Sequence, residues 1–227
     1  MYHMFTACLQ PKGNKHLKSY VFMAIGKQAM HSNQKVEDFY SSMVHMWYQL
    51  VLKTRTEMTS VYELYTKIAK SWWFSDVNPD YFSSSQESNT CKGFDETLSM
   101  IRRTIETQGP FDGILGFSQG SALVALLCCL NTLNEFNYNL KFVVIIAGFK
   151  SLSTKHLELF DRLNGQLIDI PSLHVIGETD QIIDKTRSEQ LSQHFANPFI
   201  IYHSGGHLVP SHSSNRQKFH QFFDQFI

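Results

Sequence analysis

Between a short apolar run and an alanine- and leucine-rich stretch the chain reads Gly116-Phe117-Ser118-Gln119-Gly120, a G-x-S-x-G. Ile114–Phe117 has the character of a short buried strand, and Ser121–Leu130 that of a buried helix. So tight a turn between them brings strand and helix too close for side chains two residues before and two after its centre, which is where the glycines stand. The central residue is then held in a strained backbone conformation. The helix that follows directs its free N–H groups and the positive end of its dipole at that residue. The pattern predicts a nucleophile elbow centred on Ser118; a plain small-residue turn is the alternative.

With 227 residues, 43% of them hydrophobic and 13% aromatic, the chain can bury one sizeable core, and a single domain over residues 1–227 is expected. Twenty basic and twenty acidic residues give a formal net charge of zero, so nothing favours binding to nucleic acid or to an anionic membrane. No apolar run reaches transmembrane length, and the first residues do not read as a secretory signal. Of the four cysteines, Cys128 and Cys129 are adjacent within the apolar helix and read as packed thiols rather than a disulfide. A reduced protein of the cytoplasm is expected, with the nucleus as an alternative.

From about residue 92 onward helical and strand signals alternate. Phe94, Leu98, Ile101 and Ile105 recur at helical spacing, followed by the 113–117 strand and the 119–130 helix. Phe142–Ala147 is a nearly continuous β-branched run suited to a strand buried on both faces. Residues 172–176 and 199–202 read as further strands, with helices over 184–195 and 215–226. This alternation predicts an α/β fold, a mainly parallel sheet with helices on both faces. The serine-rich stretch 83–89 reads as an exposed loop. The first 69 residues differ: 20–25 suits a strand, and apolar residues from Val36 to Val51 recur at the spacing of a long amphipathic helix.

A serine hydroxyl becomes a useful nucleophile only when a neighbouring base takes its proton and a third group orients that base. In an α/β-hydrolase these partners follow the serine in the order acid, then histidine, on loops after later strands. The strand at 172–176 leads into Gly177-Glu178-Thr179-Asp180, and the strand at 199–202 into His203-Ser204-Gly205-Gly206-His207. Ser118, Asp180 and His207 thus occupy the required order at one sheet edge. Glu178 and Asp184 are rival acids, and Asp180 also suits a helix cap. His203 and His212 compete with His207. Gly205-Gly206 breaks any helix that would align these histidines on a metal, so no metal site and no cofactor are expected.

Several separate segments now resemble one family: KSWWFS (70–75), GFDETLSMIRRTI (93–105), GPFDGILGFSQGSALVALL (109–127), PSLHVIGETDQII (171–183) and HSGGHLVP (203–210). Together they resemble the FSH family of serine hydrolases, in its ovarian-cancer-associated esterase branch. The acyl-protein thioesterases share the G-F-S-Q-G elbow, but Trp72-Trp73-Phe74, Gly109-Pro110-Phe111-Asp112 and Gly205-Gly206-His207 fit the FSH pattern better. The resemblance spans about residues 70–227, the hydrolase core. It implies an α/β-hydrolase fold and hydrolysis of small-molecule acyl (carboxylic) esters, with Ser118 as nucleophile, Asp180 as orienting acid and His207 as general base.

Residues 1–69 carry neither the His-Gly pair after a first strand nor the Asp-Ala-Pro after a second that the family shows, so missing or altered N-terminal strands are expected. The elbow itself offers one oxyanion donor, the backbone N–H of Gln119; the second has no assignable residue. Trp72, Trp73 and Phe74 suit either the wall of an acyl pocket or the packing of a helix layer. The same machinery serves a thioesterase or lipid hydrolase, and without a complete oxyanion hole the fold would serve as a weakly active binding protein.

Overall fold

The run Phe142–Ile146 forms β4 and is buried at every position, as a strand covered on both faces must be. In the computed structural model, which describes residues 2–9, 19–26, 71–75, 81–108, 111–210 and 213–226, β4 lies within a six-stranded sheet. The other strands are β1 (Tyr2–Leu9), β2 (Ser19–Gly26), β3 (Gly113–Phe117), β5 (Ser172–Gly177) and β6 (Pro198–His203), all paired in chain order. From β3 to β6 the strands run parallel, with Leu115 opposite Val144, Ile145 opposite His174 and Ile176 opposite Tyr202. β1, β2 and β3 are antiparallel to one another in turn, with Phe22 opposite Phe117 and Gly26 opposite Gly113.

The helices among the described residues are α1 (Phe94–Gln108), α2 (Gln119–Thr132), α3 (Thr154–Arg162), α4 (Lys185–Ser192) and α5 (Ser213–Phe223), the last followed by a 3₁₀ turn over Asp224–Phe226. Because side chains alternate across a strand, β3 and β4 feed two separate cores. Ile114, Val143 and Ile145 pack with α2 and with Phe94 and Ile101 of α1. Leu115, Phe117, Val144 and Ile146 pack on the other face with Phe219, Phe222 and Phe223 of α5. The sheet is therefore covered by helices on both faces.

The expected elements from residue 94 onward are present within a few residues. Helix α3 has no counterpart among them. It is nine residues long, and its inward residues are His156, Leu159 and Phe160, a stripe too short to stand out and opened by a histidine. β1 is likewise additional to the strand expected at 20–25, while the long helix read into 36–51 lies outside the described residues. In the serine-rich stretch Ser85–Glu87 is exposed, and neighbouring residues are tied down: the Ser88 N–H donates to Leu152 O at 3.2 Å and the Thr154 N–H to Ser88 O at 2.8 Å. Cys91, Cys128 and Cys129 are free thiols, and burial pushes Cys129 up to about 12. No helix among the described residues is long and apolar enough to cross a membrane.

Two histidines are built into these cores as neutral rings. His156 is fully buried, its Nδ1 bonded to Ser151 Oγ at 2.8 Å, with its ring centre 4.3 Å from that of Phe94. His174 stands in β5 against Phe195. Burial lowers both to about 3. The unfolded chain protonates its histidines near pH 6.5, so between there and about pH 3 the unfolded state holds more protons. Stability contributed by these rings is full above pH 6.5 and declines as pH falls through that window. In His174→Phe, the slope of unfolding free energy against pH between 5.5 and 4 should drop by about 1.4 kcal/mol per pH unit. Urea titrations across that range measure it; an unchanged slope would contradict the neutral-ring reading.

Candidate active site

The tight strand-to-helix turn expected at G-x-S-x-G is present. Ser118 adopts φ 55° and ψ −120°, a region that non-glycine residues enter at a cost of about 1–3 kcal/mol. A Cβ added at Gly116 would lie 2.4 Å from Gly120 O, so backbone meets backbone across the turn. The Ser118 N–H donates to Ile146 O at 3.0 Å, which pins the turn to β4. Ser121, which the sequence motif leaves unassigned, braces it further. Its Oγ lies 2.6 Å from Gly116 O and 2.7 Å from Ile146 O, and accepts the Ile146 N–H at 2.9 Å. Opening the turn would strand these buried groups, and this opposes relaxation of the strained serine.

Ser118, Asp180 and His207 follow β3, β5 and β6, all at the C-terminal edge of the parallel strands. Asp180 is buried with both oxygens occupied. Oδ1 accepts the N–H groups of Ile182 and Ile183, each at 2.9 Å, and Oδ2 lies 2.8 Å from His207 Nδ1. Burial alone would raise this carboxyl. The His207 hydrogen bond and charge, with the two backbone donors, outweigh it and hold Asp180 below the usual carboxylate range. His207 Nε2 is buried and has no hydrogen-bond partner among the described residues. The ring lies 4.7 Å, centre to centre, from Phe117, the residue immediately before Ser118.

The rivals have other places. Glu178 is exposed, and Asp184 caps α4 by accepting the Thr186 N–H at 2.8 Å. His203 Nδ1 accepts the Gly205 N–H at 3.2 Å and so braces the glycine turn, while His212 lies outside the described residues. What joins the aspartate and histidine loops is Gly177, the residue that closes the strand before Asp180. A Cβ on Gly177 would stand 2.5 Å from Gly206 O and 2.7 Å from Gly205 O. The end of β5 thus packs backbone to backbone against the turn after β6, and the Thr179 N–H reaches Gly205 O at 3.3 Å. The only signal in sequence is a glycine at a strand end.

Trp72 and Trp73 are buried, and Trp73 exposes no surface; its ring packs edge-on against Phe82, Phe94 and His156. Phe74 is partly buried and paired through its backbone with Lys92. On the other side of the elbow β2 runs antiparallel to β3, so the chain enters β2 at the elbow's edge and leaves it, after Gly26, at the far edge. The oxyanion loop that in this fold class follows a strand next to the nucleophile therefore cannot follow β2.

A strained serine at a helix N-terminus and a carboxylate–histidine pair thus stand at one edge of the sheet. A family model described as serine hydrolase (FSH1) matches residues 14–219. Esterase OVCA2 of Xenopus tropicalis is 43% identical over 159 residues, covering 70% of this chain and 67% of that protein. Esterase OVCA2 of Homo sapiens is 37% identical over 158 residues, covering 69% and 68%. The crystal structure of Zea mays acyl-protein thioesterase 2 shares 17% identity at a TM-score of 0.45, covering 66% of this chain and 70% of that one, too distant a likeness to bear on the chemistry. With most of its length under the family match, and with relatives at this identity over two thirds of their own length, the chain belongs to the FSH1 serine hydrolase family.

Proposed function

We propose that the protein hydrolyses small-molecule carboxylic esters through a triad of Ser118, His207 and Asp180. The observation that carries this reading is the 2.8 Å contact between Asp180 Oδ2 and His207 Nδ1, made by a ring whose Nε2 has no partner among the described residues and which packs on the residue before Ser118. With its proton held on Nδ1, His207 presents a bare Nε2. It takes the Ser118 hydroxyl proton as Oγ adds to the ester carbonyl, and gives it to the leaving alcohol as the carbon–oxygen bond breaks. Water then attacks the acyl-enzyme with the same proton path. Asp180 stays ionised and stabilises the imidazolium. The Gln119 N–H, first in α2 and without a helical acceptor, faces the charge that develops on the carbonyl oxygen. Relatives named as esterases support esters as the substrate class.

The test is covalent. A fluorophosphonate probe phosphonylates, with loss of fluoride, a serine that is activated and served by an oxyanion hole. Incubated with the native chain and digested, it should add one adduct, on the peptide containing Ser118, and heat-denatured protein should take up none. Labelling elsewhere, or none in the folded protein, would overturn the proposal.

A further inference from the structure

The proposed chemistry uses the backbone N–H of Gln119 and makes no demand on its side chain, yet that side chain is fully buried and tied to one distant segment. Its Oε1 accepts from Ser71 Oγ at 2.8 Å and from the Trp72 N–H at 3.2 Å, and its Nε2 donates to Trp73 O at 2.9 Å. The segment 71–74 is fixed in turn. Thr97 Oγ1 of α1 donates to Trp72 O at 2.6 Å, and Phe74 and Lys92 exchange backbone hydrogen bonds at 2.9 and 3.1 Å. The enclosed Trp73 ring anchors it to α1 and α3 through Phe94 and His156. The carboxamide is thus held from outside its own helix.

That attachment bears on the oxyanion donor because the Ser118–Gln119 peptide is the one whose orientation matters. Ser118 sits in a conformation from which a non-glycine backbone tends to relax. Relaxation would rotate this peptide and swing the Gln119 N–H away from the developing charge. Stabilisation of an oxyanion depends on donors already aimed when the charge appears. A side chain held by hydrogen bonds at both its oxygen and its nitrogen resists the rotation at the residue concerned.

We infer that the Gln119 carboxamide, with Ser71 and the backbone of Trp72 and Trp73, is a positioning device that keeps the Gln119 N–H aimed into the oxyanion hole. This rests on the proposed triad. Gln119→Met keeps the volume and the backbone N–H but makes none of the three bonds, and Ser71→Ala, on a half-buried residue, removes one of them. With a p-nitrophenyl ester well below the melting temperature, Gln119→Met should lose about ten- to a hundredfold in kcat, less than deletion of a whole donor, with little change in KM. Ser71→Ala should lose a smaller factor in the same direction, and the double variant should be no slower than Gln119→Met. Inhibition by a trifluoromethyl ketone, whose tetrahedral adduct places an oxyanion in the hole, should weaken by the same factor as kcat. A structural amide would lower the melting temperature and leave these ratios alone.

Unchanged kcat and unchanged ketone affinity in Gln119→Met, or in Ser71→Ala should Gln119→Met fail to fold, would overturn the inference. Fluorophosphonate labelling of the native chain separates the two ideas. Labelled Ser118 with unaffected variants defeats the positioning role alone, whereas an unlabelled Ser118 defeats the triad and this role with it.

Discussion

Ser118→Ala should lower kcat toward a p-nitrophenyl ester by about five to six orders of magnitude, the loss seen when a triad nucleophile is removed. Among the described residues no other serine stands on such a turn. Ser121 is the nearest hydroxyl in sequence on the helix side, and its oxygen is engaged by Gly116 and Ile146 inside the core. The serines of 83–88, of which Ser85 is exposed, lie on a different segment and have no elbow. The loss should come without unfolding, because alanine meets the same φ of 55° that serine does and the bonds bracing the turn are made by Ser121 and by the Ser118 backbone. Thermal melts of both proteins check the fold, and steady-state rates check the chemistry. A Ser118→Ala protein turning over at a tenth of the native rate would sink the assignment.

Asp180→Asn should cost about four orders of magnitude in kcat, because it imposes the wrong histidine tautomer. The reason lies in the two oxygens. Oδ1 accepts from the Ile182 and Ile183 N–H groups, so the amide of an asparagine must keep its oxygen there. Its NH₂ then takes the place of Oδ2 and faces His207 Nδ1. The ring responds by accepting at Nδ1 and carrying its proton on Nε2, where it can no longer receive one from Ser118. Glu178→Gln changes an exposed side chain and should leave kcat alone. Asp184→Asn should do so too, since asparagine caps a helix about as well as aspartate. Parallel kcat measurements on the three variants decide the matter. A larger loss from either rival than from Asp180→Asn would reassign the acid.

What could be read from residue order was whatever local chemistry dictates. The elbow was legible because its constraint is contained in five residues: a side chain at Gly116 would collide with the Gly120 backbone across the turn. The buried run of β4 and the Phe94–Ile105 stripe of α1 were legible because periodicity reports burial directly. Asp180 and His207 could be placed on the correct edge, because parallel strands joined by helices all end there. Preference for Asp180 over Glu178 and Asp184 acquires its geometric basis only where Gly177 lets the loops after β5 and β6 meet backbone to backbone, which puts the Asp180 carboxylate against the His207 ring. A strand signal likewise fixes neither direction nor neighbour. The run at 20–25 reads as a strand, but its antiparallel seat beside β3 comes from pairing, and that seat moves the end of β2 away from the elbow. The bonds from Gln119 to Ser71, Trp72 and Trp73 span 46 to 48 residues of chain. Hydrogen bonds between such distant groups follow from how the layers pack, and no local pattern of residues encodes them.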